Sequence, residues 1–433
     1  MFLKKCLWAG VLACSALSGW VVSASESKEI PLTISAEAAR TVDSPLRGFI
    51  QQVWAESPAM QGAQAAVKAS LARAEGAGRA RYNPALALDA ERTAANTTSI
   101  GISQTLDWSD KREAQTQIAD QEVQAANAEL AEAYQSIAVE TLAALAQYFT
   151  AQEMQGLAQR RSQLMKDFVT TVKQRQAAGD MDALAGTLAQ VTYSEALMQQ
   201  AASESELAEA EAALQAVTGF GLTRWPQLPR ELAPPPKQVD SSLLQSLPTL
   251  AVLRSRMEAA KARIRLAERE GRADPTIGIR AGRDGSDSLL GLSLEIPLFV
   301  RNNFKAEVLA ASHEAVGEEL RYRDAYRRAK ARLDGSLGRF QNTARAWGAW
   351  SLTGQQALGE QMALLEQLWQ AGELTVTDYL IQAKQNIDTQ AAATALMGEV
   401  WQAAIGWLDA SAQVGAWLGT APVTAAQTKN FGE

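Results

Sequence analysis

One histidine and two cysteines are all that 433 residues contain of those types, and aromatic side chains make up only 6%. Both cysteines, Cys6 and Cys14, sit near the start, so the rest of the chain can carry neither a disulfide framework nor thiol chemistry. The lone histidine, His313 in "AASHEAV", lies in a charged helical context and reads as a solvated surface residue. No His/Cys/Asp cluster has metal-ligand spacing, and Gly-x-Ser-x-Gly, phosphate-binding loops and dinucleotide fingerprints are missing. No catalytic residue, metal or cofactor is therefore expected, and the chain reads as a non-enzyme. Lys/Arg-rich blocks are missing as well, and the net charge is −7, which argues against a nucleic-acid partner. After residue 22 there is no run of 18 apolar residues, hence no expected transmembrane helix. If this chain spans a membrane, it must do so with strands.

Residues 1–24 read as an export signal: Lys4 and Lys5, an apolar run from Cys6 to Val22, then Val22-Ser23-Ala24 as a small-residue cleavage site. Cleavage there removes two lysines and both cysteines, leaving Ser25 first and a more acidic chain. A competing reading takes Val11-Leu12-Ala13-Cys14 as a lipobox with Cys14 lipidated; an uncleaved anchor is a third.

What is abundant is alanine in long helical patterns, and the pattern occurs twice. "SPAMQGAQAAVKASLARAEGAGRARYNP" lines up with "LPTLAVLRSRMEAAKARIRLAEREGRADP": Pro58 pairs with Pro248, Pro84 with Pro275, Gly101 with Gly291 and Gly179 with Gly372, at a near-constant offset of roughly 190 residues. This period is far longer than that of solenoid repeats and indicates a duplicated unit. The expected organisation is a first repeat at 25–221, a proline-rich connector at 222–245, a second repeat at 246–418 and a flexible C-terminal tail at 419–433. Each repeat reads as a helix running to a proline, two alternating strands of about 9–11 residues, a long helical pattern ending at a glycine, and a returning helix. A long helix of about 70 residues spans about 100 Å, which two shorter helices end to end would match. Leu130, Tyr134, Ile137, Thr141, Leu145 and Tyr148 are spaced as a coiled-coil seam requires. Trp347, Trp350, Trp401 and Trp407 also lie at helical spacing and read as packing residues, and the acids of "ASESELAEAEAA" as a solvated face.

The strands separate an apolar face from a polar one. Ile100, Ile102, Leu106 and Trp108 oppose Gly101, Ser103, Thr105 and Asp107; Leu290, Leu292, Leu294, Ile296 and Leu298 oppose Gly291, Ser293 and Glu295. A small sheet capping a helical body would show the same alternation. In a bilayer, four strands cannot close, so a membrane reading requires several chains, and twelve strands from three chains leave room for an aqueous channel.

With its export signal, duplication, strand pairs, long helices and proline-rich connector, nearly the whole chain resembles the TolC-type outer-membrane efflux family. "YNPALALDAE", "GISQTLDWSDKREA" and "GLSLEIPLFVRNNFKAEVLAA" are most similar to outer-membrane components of cobalt–zinc–cadmium tripartite exporters. The resemblance implies a mainly α fold with a small β part. In it, coiled-coil-like helices form a trimeric α-helical barrel continuous with a twelve-stranded transmembrane β-barrel, four strands per chain. It implies a homotrimer in outer-membrane lipid with a periplasmic extension, partnered by a periplasmic adaptor (membrane fusion) protein and an inner-membrane resistance-nodulation-division pump. The expected function is a passive duct for heavy-metal cations; a duct for drugs or secreted polypeptides, or a soluble periplasmic coiled-coil scaffold, are the alternatives.

The turns after Gly179 and Gly372 are expected at the periplasmic tip. The family carries an Asp-rich constriction in the second of them, whose first aspartate falls on Asp378, while the position three residues later is Ile381. Asp180, Asp182 and Glu373 add charge nearby, and ordinary helix capping explains acids at such places equally well.

Overall fold

The computed structural model describes residues 33–34, 44–92, 96–222 and 224–420; the expected signal with Cys14, and the tail beyond Thr420, lie outside the described residues. The first repeat comprises α1 (Ser44–Glu56), α2 (Pro58–Gly78), β2 (Ala85–Arg92), β3 (Asn96–Thr105), α3 (Lys111–Ala177) and α4 (Ala183–Thr218). It is preceded by β1 (Thr33–Ile34), which pairs in parallel with β4 (Glu231–Leu232) of the connector. The short α5 (Ser242–Ser246) then leads into the second repeat: α6 (Pro248–Glu270), β5 (Thr276–Asp284), β6 (Asp287–Glu295), α7 (Lys305–Ala349), a π turn (Trp350–Gly354), α8 (Gln355–Gln370) and α9 (Val376–Ala410). A final short helix, α10 (Val414–Leu418), ends at Gly419, whose φ of 67° is left-handed.

Local chemistry explains the boundaries. Pro58 and Pro248 open α2 and α6 at the first turn, where a missing N–H costs nothing, and the Ser57 hydroxyl caps α2 by accepting from the Met60 N–H. Gly179 and Gly372, with φ of 84° and 75°, turn the chain sharply between α3 and α4 and between α8 and α9.

The helices form a four-column wall. α2 and α4 lie end to end along one side of α3; α6 and α9 lie end to end between α3 and the α7–α8 column. The 67 residues of α3 give a rise of about 100 Å, so one long helix spans two short ones. The second long helix departs from the expected continuous pattern, because the π turn interrupts it; nothing comparable occurs in α3.

Two separate hydrophobic cores hold the wall. The larger joins α1, the connector, the middle of α3, the end of α7 and the end of α9, with Leu130, Ile137, Leu145, Leu333, Val400 and Trp401 buried. Thr141 of the seam is buried too and its hydroxyl donates to the Ile137 carbonyl. Trp347 and Trp407 pack here, as their helical spacing suggested. The smaller core lies where α3 and α8 end and α4 and α9 begin, around Met165, Phe168, Val172, Trp369 and Tyr379.

The four strands β2-β3-β5-β6 make one antiparallel sheet, with β2 and β6 at its edges. Gly285, at φ 62°, permits the tight β5–β6 turn. The strands run for eight to ten residues. β3 runs from Asn96 to Thr105 and so ends before Leu106 and Trp108, which the alternation assigns to its apolar face. Among the described residues no helix is long and apolar enough to cross a membrane.

Candidate functional site

Three places concentrate polar chemistry. The first is the end of the wall where Gly179 and Gly372 turn. Arg175 ties the two turns together: its guanidinium donates to the Trp369 carbonyl at 3.2 Å and lies 4.6 Å from the Trp369 ring. Below them, Tyr379 stacks on both Phe168 (5.2 Å) and Trp369 (4.9 Å), whose own centroids are 5.1 Å apart, so the three rings form a triangle. Burial, with Glu366 adding to it, pushes the Tyr379 phenol up to about 12. This stack fixes the first turn of α9 and hence the neighbouring Asp378.

All four predicted tip acids lie at these turns and are exposed. Asp182 is the N-cap of α4, accepting from the Ala185 N–H at 2.8 Å. Asp378 belongs to a reciprocal cap: the Thr375 hydroxyl accepts from the Asp378 N–H (3.1 Å) and donates to Asp378 Oδ2 (2.6 Å). Asp180 and Glu373 make no side-chain hydrogen bond or ion pair among the described residues; their backbone N–H groups close the two turns. Above the tip, buried Arg161 joins Asp388 of α9 (3.2 Å) and Glu195 of α4 (3.7 Å), and Glu195 also holds Lys384 (3.0 Å).

The second place is the polar face of the sheet. The register puts Asp89, Glu91, Asp284, Asp287 and Glu295 on this face, with Arg280 as its lone cation among the described residues. Arg280 lies across Gly291 toward the β6 edge; a Cβ at Gly291 would fall 2.7 Å from Arg280 Nε. The opposite face is apolar and exposed: Leu86, Leu88, Ile279, Leu290 and Leu292 are 55–86% accessible.

The third place, where strands become helices, was not singled out from sequence. Lys111 Nζ meets Asp274 Oδ2 at 2.9 Å and donates to the Arg272 carbonyl at 3.0 Å, with both side chains of the ion pair about 95% buried. Tyr82 donates to the same Asp274 oxygen at 2.8 Å, and Arg81 pairs with Glu270 at 2.6 Å. Each contact joins the first repeat to the second. Burial would raise the Asp274 pKa, but hydrogen bonds from Lys111 and Tyr82 outweigh it, and the carboxyl sits below its ordinary value. The positions of Tyr82 and Asp274 just before the paired prolines Pro84 and Pro275 were the available signal.

Among the described residues no three His, Cys, Asp or Glu side chains are grouped to hold a metal ion. His313 is exposed on α7.

The architecture is thus a sheet with one exposed apolar face, continued by a wall of long helices. Residues 49–220 match the model of the outer membrane efflux protein family. Comparison with curated proteins gives no match. The fold is shared with solved outer-membrane proteins. The outer membrane protein VceC from Vibrio cholerae is 19% identical with a TM-score of 0.72, over 87% of this chain and 98% of VceC. The CmeC outer membrane channel of Campylobacter jejuni is 11% identical with a TM-score of 0.75, over 98% and 96%. CusC, described for its transmembrane channel formation, is 16% identical with a TM-score of 0.70, over 86% and 92%.

Proposed function

We propose that this chain is one third of a trimeric duct that crosses the outer membrane and carries substrate passively through the periplasm. The observation that carries this reading is that the chain is unfinished at both sides in the same way. β2 and β6 leave open sheet edges, which lipid does not tolerate. The outer columns of the wall carry unpartnered apolar stripes at heptad spacing, Leu184, Val191 and Met198 on α4 and Leu309 and Val316 on α7. Three copies cover both kinds of edge and close a twelve-stranded barrel. A trimer in outer-membrane fractions is the expected result of chemical cross-linking, dissociating only on heating; monomers alone in detergent would overturn the reading.

The cargo class we propose is cations, with a periplasmic adaptor and a proton-driven inner-membrane pump supplying them. Five carboxylates against one guanidinium on the polar face of each sheet would give the barrel a field that favours positive ions without binding them tightly. A conduit needs no strong ligand, since a tight site would retain the ion. The resemblance of the strand motifs to cobalt–zinc–cadmium exporters points to heavy-metal cations.

Three copies of Asp378 around the axis would form the narrow, acidic closure of the tip. Because Asp378 also caps α9, Asp378→Asn is the informative change: it removes the charge and keeps the acceptor for Thr375. In planar bilayers it should weaken block by divalent cations severalfold, most at low ionic strength, where the Debye length reaches about 30 Å at 0.01 M. Asp182→Asn, at a plain helix cap, should leave block unchanged. Equal block in wild type and Asp378→Asn, with the trimer intact, would place the constriction elsewhere.

A further inference from the structure

We infer that Arg92 and Arg283 form a phosphate-binding rim that seats the headgroups of outer-leaflet lipid, an inference that rests on reading the sheet as part of a membrane barrel. The pairing register orders the membrane-facing side into rows. One row holds Leu86, Ile102, Ile279 and Leu292; the next holds Leu88, Ile100, Ala281 and Leu290. Moving away from the helices, the following row is Ala90, Thr98, Arg283 and Ser288, and beyond it stands Arg92 opposite Asn96. The apolar band therefore stops abruptly, and two guanidinium groups begin at the level where headgroups lie.

Their charge has no counterpart among the described residues. All five strand carboxylates point to the other face, and among the described residues neither Arg92 nor Arg283 has a hydrogen bond or an ion pair, while both are exposed. A membrane barrel ordinarily anchors both interfaces with aromatic girdles. These four strands contain no Phe, Tyr or Trp; the exposed Trp108, at 74%, is at the helix end. At the far end arginine takes the aromatic's place. The two arginines stand on strands separated by β3, about 10 Å apart across the sheet, with Thr98 and Asn96 between them to add hydrogen bonds. Planar guanidinium groups bind phosphate oxygens bidentately. On a surface that faces lipid, the anion available in quantity is a headgroup phosphate.

The test titrates the full-length oligomer in nonionic detergent with bisphosphorylated lipid A and counts retained lipid by native mass spectrometry. Arg92→Gln and Arg283→Gln should each weaken retention about fivefold, and the double variant about thirtyfold. Dephosphorylated lipid A should bind wild type as weakly as the double variant binds the phosphorylated form. Arg280→Gln, on the polar face, should change nothing. Excess inorganic phosphate should fail to displace the lipid; full displacement would mean a free-anion site and overturn the lipid assignment. Undiminished retention by a trimeric double variant, or an equal loss in Arg280→Gln, would overturn the rim alone. A chain that remains monomeric and soluble without detergent would remove the duct reading and the rim with it.

Discussion

Asp274→Asn should destabilise the folded chain by up to about 3–5 kcal/mol, because it leaves the buried Lys111 ammonium with only the more distant Glu270 carboxylate as counter-charge. Lys111 has little else to turn to: Glu270 Oε2 is 3.7 Å away and already serves Arg81. The loss should register as a lower guanidinium midpoint and a lower temperature of oligomer dissociation. Replacing both partners by apolar residues, Lys111→Met with Asp274→Leu, should recover most of the stability, since the pair's desolvation cost disappears with it. If the double variant is no more stable than Asp274→Asn, the cluster is not an isolated ion pair and Tyr82 and Arg81 carry the joint. The same geometry fixes the pH response. A carboxyl whose folded-state pKa is depressed contributes stability above its unfolded value of about 3.9 and loses it as pH falls through the folded-state value. Wild type should therefore hold its strand–helix joints at mildly acidic pH and lose them only below the ordinary Asp range, whereas Asp274→Asn should lack that acid step.

Tyr379→Ala should open a cavity in the small core and cost about 3–5 kcal/mol locally, including a stacking contribution of about 0.5–1.5 kcal/mol from its two ring neighbours. Hydrogen exchange should accelerate through the end of α8 and the start of α9, and trypsin should gain access to Arg175 and Lys384. Exchange around Leu142 and Val400, in the large core, should stay at the wild-type rate. Faster exchange throughout would show that the two cores are one.

Much of this was legible in the sequence because it depends on local period. Alternation of Leu and Ile with small and polar residues assigned the faces of β3 from Ile100 to Thr105 and of β6 from Leu290 to Glu295, while Leu106, Trp108, Ile296 and Leu298 fall beyond the strand ends. The seam from Leu130 to Tyr148 lies on the packed side of α3, and the turns fall at Gly179 and Gly372, where a left-handed conformation favours glycine. What escaped depends on approach in space. Lys111, in "SDKREA", looks like part of a solvated charged helix start, and Asp274, in "RADP", like a turn residue; only the meeting of two repeats buries them together. Phe168 and Tyr379 are equally distant in sequence, and neither motif announces a stack. The π turn at Trp350–Gly354 has no periodic signature either, because it breaks a period rather than setting one. Asp378 came from the family resemblance and the other acids from their place beside the glycine turns, with helix capping an open reading for all of them. That the cap at Asp378 comes from Thr375 was not legible, since Thr375 carries no charge to attract notice.

The division of the wall into two cores has a thermodynamic consequence. Between them, buried Leu157 and Ile387 are accompanied by polar contacts, with Asn386 donating to the Leu358 carbonyl and Arg161 held between Glu195 and Asp388. Cooperative units in a protein coincide with contiguous packed regions, and each opens with its own free energy. On that rule the smaller core is expected to open as a unit of its own, at a lower cost than global unfolding. A partner bound at that end would then need to supply only this local free energy to rearrange it, with the strands and the larger core left folded.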